Sequence, residues 1–287
     1  MFVKTNTLKE IKNYFFSSLK NTYEKQELES LFLISAEEIL GLTRVGIRLE
    51  KGVRLLESEL LEFNSLIKRL KKNTPIQYVL GKAPFYERDF LVNENVLIPR
   101  QETEELIQLI VNQNKVSSPK ILDIGTGSGA IAISLDLEIP EAEVLAIDIS
   151  EKALELAKQN NELLNGNVSF EIQDVLDESI WESNSNFDII VSNPPYVLES
   201  EKQVMQPNVL ENEPHLALFV EDNNPLLFYI KIVNFAIKNL KSKGYLYFEI
   251  NEKYGKEVAE LMEEKFENVE IVKDLNGKDR MIKGIRK

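Results

Sequence analysis

The stretch from Lys120 to Asp148 restricts the possible folds more than any other part of the chain. Lys120-Ile121-Leu122-Asp123-Ile124 is short, apolar and rich in β-branched residues, and reads as a buried strand. Gly125-Thr126-Gly127-Ser128-Gly129 follows as a tight turn, and Ala130 to Leu137 reads as a helix. Val144 to Ile147 is a second strand, closed by Asp148. Strand, glycine turn, helix and strand in this order predict a βαβ unit of a parallel sheet. Glycine at 125, 127 and 129 permits left-handed backbone and lets a ligand approach the main chain. An acidic residue about 20 positions beyond such a loop is placed to hold ribose hydroxyls, and Asp148 meets that spacing. The loop alone does not separate a dinucleotide from S-adenosylmethionine. It departs from the Gly-x-Gly-x-x-Gly spacing of pyrophosphate binders, and the carboxylate of Asp123 sits badly beside a pyrophosphate. Asp123 suits the amino group or polar tail of a methionine moiety, which favours the sulfonium cofactor.

The pattern continues for the rest of a doubly wound sheet. Glu151 to Leu164 is helical, and Val168 to Ile172 is a third strand ending in Gln173-Asp174-Val175. A polar residue after that strand can bond an adenine amine while Val175 packs on the ring; Asp174 can equally cap a following helix. Phe187-Asp188-Ile189-Ile190-Val191-Ser192 is a fourth strand, and Asn193-Pro194-Pro195-Tyr196 leaves its carboxyl end. Asn193 carries one acceptor and two donors, and Pro194 offers only a carbonyl. Pro195 biases Pro194 towards an extended conformation, which helps aim that carbonyl. Two acceptors beside the flat face of Tyr196 suit a planar –NH2 group, a carboxamide or a base amine. The plainer reading is a Pro-rich turn with Tyr196 in the core. Beyond it, residues 199–222 read as an irregular insertion that can lie over the site. Helices are expected over 226–240 and 253–266, a strand over 244–250, and a C-terminal hairpin, 269–273 with 281–286, turning at Asn276-Gly277.

Upstream, residues 1–72 read as three to five amphipathic helices, one of them over Val53 to Leu70, and residues 73–100 as a linker with a hairpin over Phe90 to Ile98. Residues 101–287 then read as the α/β domain, opening with a helix to about Asn112. The chain has 287 residues, enough for two domains. It lacks an apolar membrane-length run or leader and has no Cys, so a cytoplasmic protein is expected. With no Cys and one His, a metal site is not expected. A net charge of −13 counts against an extended phosphate-gripping surface, so no stable nucleic-acid partner is expected.

Taken together, Pro75-x-Gln77-Tyr78-x-x-Gly81, Ile98-Pro99-Arg100-x-Glu102-Thr103-Glu104, the 123–129 loop, Asp148-Ile149-Ser150, Asn193-Pro194-Pro195-Tyr196 and Glu213-Pro214-x-x-Ala217-Leu218 resemble the HemK/PrmC-type release-factor glutamine N5-methyltransferases. Gln101 stands where that family usually has Pro, and Val175 where an aromatic is common. The resemblance implies an α/β fold: a Rossmann-like seven-stranded methyltransferase sheet with one antiparallel C-terminal strand, preceded by a small N-terminal helical bundle for substrate docking and a hairpin linker. It implies S-adenosyl-L-methionine as cofactor and S-adenosyl-L-homocysteine as product. Gly125, Thr126, Gly127, Ser128 and Gly129 would lie under the methionine part, Asp148 on the ribose, Asp174 and Val175 beside adenine, and Asn193 beside both cofactor and substrate. Asn193 and Pro194 would be catalytic, with Pro195 and Tyr196 completing the substrate clamp. The implied partner is a class 1 peptide chain release factor, methylated on the glutamine of its Gly-Gly-Gln loop by a monomeric enzyme. An amino-methyltransferase acting on nucleic acid or a ribosomal protein, or a non-catalytic cofactor-binding scaffold, are the competing readings.

Overall fold

The computed structural model describes residues 3–49, 52–179 and 186–287. Residues 1–2 and 50–51 of the expected helical region lie outside the described residues. The chain divides into two compact units, Met1–Gly81 with Gln206–Asn212, and Lys82–Met205 with Glu213–Lys287. This division falls inside the segment expected as a linker.

The first unit contains α1 (Leu8–Leu19), α2 (Lys25–Leu40), α3 (Arg44–Leu49), α4 (Glu57–Leu70) and α5 (Ile76–Leu80). Leu8, Ile11, Phe15 and Leu19 recur at helical spacing and are all buried. Leu60, Phe63, Leu66, Ile67 and Leu70 do the same on α4. The two stripes meet α2 in one core, where Phe15 packs edge-on against Phe32 and Phe32 stacks on Phe63. The helix expected from Val53 starts only at Glu57. Val53 and Leu55 instead exchange main-chain hydrogen bonds with Leu8 and Asn6, which holds them extended.

The second unit begins with a hairpin, β1 (Lys82–Phe85) and β2 (Arg88–Leu91), and α6 (Gln101–Gln113). The hairpin closes through Tyr86 and Glu87, both at positive φ (46° and 61°), a two-residue turn of the twist that hairpins favour. It therefore lies earlier than expected, and Val96 to Ile98 are unpaired in any strand. Then come β3 (Lys120–Ile124), α7 (Ala130–Glu138), β4 (Glu143–Asp148), α8 (Glu151–Leu164), β5 (Ser169–Ile172) and β6 (Phe187–Ser192). The insertion forms β7 (Val197–Leu198), a 3-10 turn over Glu199–Val204, α9 (Pro207–Asn212), which belongs to the first unit, α10 (His215–Leu218) and β8 (Phe219–Val220). It is thus built of short regular elements. The chain ends with α11 (Leu227–Asn239), β9 (Leu240–Glu249), α12 (Gly255–Glu263), β10 (Phe266–Lys273) and β11 (Asp279–Arg286). The helix expected to reach 266 stops at Glu263, and Phe266 already belongs to a strand.

The main sheet has seven strands in the order β10-β11-β9-β6-β3-β4-β5. Parallel pairing runs from β9 to β5, and β11 is antiparallel to both its neighbours. All six residues of β6 are buried, as a strand covered on both faces requires. One face is covered by α11 and α12, through Tyr229, Ile232, Val258 and Met262; the other by the hairpin, α6 and α7, through Phe85, Phe90, Ile107 and Ile131. From β3 the chain runs outward through β4 and β5, then returns to the other side of β3 as β6. That reversal places a crevice at the carboxyl ends of β3 and its neighbours.

Gly129, at φ +81°, is the N-cap of α7. A Cβ there would lie 2.8 Å from Ile133 Cδ1 and 3.2 Å from Ala157 Cβ. Gly129→Ala combines left-handed strain with overpacking, and we expect it to destabilise the protein by about 2–4 kcal/mol. Urea denaturation measures this, and an unchanged midpoint would refute the packing role.

Candidate active site

The cleft at the carboxyl ends of β3, β4, β5 and β6 gathers most of the residues singled out by their sequence pattern. Gly125, Thr126, Gly127 and Ser128 form its floor. Ile147 at the end of β4 pins the loop, its carbonyl accepting from the N–H groups of both Gly125 and Thr126 at 2.9 and 3.1 Å. Gly125 and Gly127 adopt φ of +76° and +55°, and a Cβ built on either meets nothing within 4 Å. The loop therefore presents bare backbone to open space, a cradle for a ligand. Gly129 differs: it does not line the cleft but packs beneath it.

Asp148 lines the cleft and is held from behind. Its Oδ2 accepts from Gly127 N–H and its Oδ1 from Ser150 N–H, each at 2.9 Å. Burial raises its pKa, and these two N–H donors oppose the shift. With the Ile149 N–H as a third neighbouring donor, the carboxylate still has acceptor capacity for a ligand hydroxyl. Asp123 does not reach the cleft wall. It is fully buried beneath the loop, where Oδ2 accepts from the Thr126 hydroxyl at 2.6 Å and Oδ1 lacks a well-formed hydrogen bond. Burial pushes its pKa up to about 7, against the lowering effect of Thr126. Its electrostatic influence on a ligand passes through the glycine loop.

Gln173, Asp174 and Val175 line the next part of the wall. Asp174 Oδ1 accepts from Leu176 N–H at 2.8 Å, and the Asp174 carbonyl from Asp177 N–H at 3.0 Å. This turn fixes the Asp174 carboxylate at the cleft margin and leaves its second oxygen without a protein hydrogen-bond partner among the described residues. Buried Val175 faces Phe228 and Ile232, which come from α11 and make the wall apolar. The sequence predicts a helix over 226–240 but not which of its residues meet the cleft.

Asn193, Pro194 and Pro195 close the side nearest β6. Ser192 ends the strand, its hydroxyl donating to the Ile124 carbonyl at 2.7 Å, so the 193–195 loop is tied to the start of the glycine turn. Asn193 Nδ2 donates to Thr103 Oγ1 at 3.3 Å. Tyr196 is placed differently from Asn193: its ring packs against the core under α11, and its hydroxyl donates to Glu249 Oε1 at 2.9 Å. Thr103 also donates to Glu249, at Oε2, over 2.6 Å. Thr103 and Glu249 are absent from the residues expected at the site. Thr103 was legible only as part of a motif, and Glu249 lies 146 positions from it.

A second long-range tie explains two other motifs. Glu213, almost wholly buried, accepts from Ile98 N–H at 3.2 Å and from Arg100 at 2.6 Å. It joins Ile98-Pro99-Arg100 to the insertion, of which Pro214, Leu216 and Ala217 line the cleft.

Chemically, the cleft offers a bare-backbone floor, a braced carboxylate, an apolar slot with a polar margin, and an asparagine beside a proline carbonyl. These features fit S-adenosylmethionine and a planar amine acceptor. A sequence profile described as a methyltransferase domain matches residues 115–283, and one described as the PrmC N-terminal domain matches residues 10–81. A release factor glutamine methyltransferase of Flavobacterium psychrophilum is 49% identical over 281 residues, covering 95% of this chain and 98% of that protein. This chain belongs to the release factor glutamine methyltransferase family. The relative from Bacteroides thetaiotaomicron bearing the same name is 46% identical over 94% of this chain and 96% of its own length. Among solved structures, a methyltransferase from Pyrococcus furiosus aligns with a TM-score of 0.52 over 76% of this chain and 96% of its own, at 17% identity, a likeness of fold. Membership in the release factor glutamine methyltransferase family makes this chain a protein glutamine methyltransferase, and the cleft is its candidate active site.

Proposed function

We propose that the enzyme transfers a methyl group from S-adenosylmethionine to the side-chain amide nitrogen, N5, of the glutamine in the Gly-Gly-Gln loop of a class 1 peptide chain release factor. The observation carrying this reading is that Asn193 and Pro194 line the same cleft as the glycine loop and Asp148. Gly125 to Ser128 receive the methionine part, Asp148 the ribose, and Asp174 and Val175 the adenine. Bound there, S-adenosylmethionine supplies an electrophilic methyl group.

An amide nitrogen is a poor nucleophile, because its lone pair is delocalised into the carbonyl. Asn193 Oδ1 and the Pro194 carbonyl accept the two N–H groups of the glutamine and hold its nitrogen in line for the transfer. They also stabilise positive charge as it builds on that nitrogen. Fixed orientation contributes about 7–11 kcal/mol in well-aligned systems, and preorganised acceptors a few more. One N–H proton leaves to water after the bond forms.

A base amine would meet the same two acceptors, so the acceptor is decided by experiment. Purified enzyme with radiolabelled cofactor is expected to label a release factor and leave ribosomal RNA unlabelled. Peptide mass spectrometry should place the methyl on the Gly-Gly-Gln glutamine. Label on RNA, or on neither, overturns this reading.

A further inference from the structure

An asparagine side chain has two ends of similar shape and opposite hydrogen-bonding sense. If Asn193 turned its –NH2 to a substrate –NH2, two donors would face each other. The structure contains a device that selects the other orientation. Thr103 Oγ1 lies 3.3 Å from Asn193 Nδ2 and 2.6 Å from Glu249 Oε2. A hydroxyl has one hydrogen, and an ionised carboxylate only accepts. With Glu249 ionised, the state that its two hydroxyl donors and the Arg280 charge favour against burial, the Thr103 hydrogen is committed to Glu249, and Thr103 has only lone pairs to offer Asn193. Asn193 must then point its nitrogen inward and keep Oδ1 as its free acceptor; no hydrogen bond occupies that oxygen among the described residues. The second oxygen of Glu249 takes the Tyr196 hydroxyl at 2.9 Å. Two members of the tetrapeptide thus hang from one carboxylate. Glu249 is 1% exposed at the end of β9. Burial raises its pKa, while the two hydroxyls and the Arg280 charge act in the opposite direction and Glu102 adds to the rise.

Resting on the reading that Asn193 accepts a hydrogen bond from the acceptor amine, we propose that Glu249 is a positioning residue that sets the facing of the Asn193 amide through Thr103 and anchors Tyr196. The relay predicts a particular pattern. Glu249→Gln presents a group that can donate to Thr103, which frees the threonine hydrogen to bond Asn193 Oδ1 and admits the reversed amide. Thr103→Val removes the relay atom and leaves the carboxylate in place. Thr103→Ser restores it.

The test measures kcat and KM with whichever of release factor or ribosomal RNA the wild-type enzyme methylates, together with cofactor affinity by calorimetry and the melting temperature. Glu249→Gln and Thr103→Val are expected to lower kcat about a hundredfold, the scale of loss when a positioned group drifts from productive geometry. KM and cofactor affinity should stay within about threefold, and Thr103→Ser should retain kcat within about fivefold, since the hydrogen bond is kept. Should Glu249→Gln fail to fold, the valine and serine variants decide alone. Wild-type kcat in Thr103→Val, or equal losses in the valine and serine variants, overturns the positioning role. Methylation of RNA by the wild type would overturn the release-factor reading and leave that comparison intact.

Discussion

Asn193→Ala is expected to lower kcat for methyl transfer by about 10²–10³-fold, the loss seen when one preorganised polar group is removed from a reacting centre. The cofactor dissociation constant should change by less than about threefold, because the residues proposed to hold ribose and adenine lie on other strands. The reasoning starts from strand order. Asn193 leaves β6, which pairs with β3 on the side away from β4, so Asn193 and Asp148 hang from different neighbours of β3. Alanine removes Oδ1 without disturbing Ser192, whose hydroxyl anchors the loop to Ile124. Single-turnover kinetics with a release factor, beside calorimetric titration of the cofactor, separate the two effects. Near-normal turnover in the variant would sink the catalytic role of Asn193.

Asp148→Ala should act in the opposite sense, weakening cofactor binding about 100-fold. Hydrogen bonds to a charged carboxylate contribute about 1.5–3 kcal/mol each, and tenfold in affinity corresponds to about 1.4 kcal/mol. A second effect adds to the first. Asp148 also receives Gly127 N–H, so its removal unties the middle of the glycine loop that forms the cleft floor. Asp148→Asn keeps one oxygen acceptor and should lose less affinity than alanine. An unchanged dissociation constant in Asp148→Ala would refute the ribose assignment and the loop-bracing argument together.

The legible part of the fold was the part with local causes. β3 ran over Lys120–Ile124 and α8 over Glu151–Leu164 as their periodicity predicts, because a buried strand and an amphipathic helix each carry their own pattern. The hairpin was expected too late, because its turn uses Tyr86 and Glu87, two residues that rarely adopt positive φ. Only their main-chain geometry reveals it. Val53 to Leu55 were read as helix because their apolar spacing suits one, but pairing with Asn6 and Leu8 from the distant N-terminal segment prevailed. Asp123 has the residue type for a ligand contact, yet the chain packs over it.

By itself, the sequence determined the strand–loop–helix unit, the acidic residue closing β4 and the Asn-Pro-Pro-Tyr element leaving β6. Each is a short run whose residue types impose their local geometry: glycines that permit a bare turn, and consecutive prolines that stiffen a loop. Tertiary structure alone decided what stands behind those residues. Thr103 and Glu249 are 146 positions apart, and Ile98 and Glu213 are 115 apart. No local preference specifies such partners. Thr103 meets Glu249 because α6 packs on the sheet, Glu213 reaches Ile98 from the insertion, and buried carboxylates must find donors once water is excluded. The sequence therefore names the groups proposed to face the substrate, and the fold supplies the carboxylates that hold them in place.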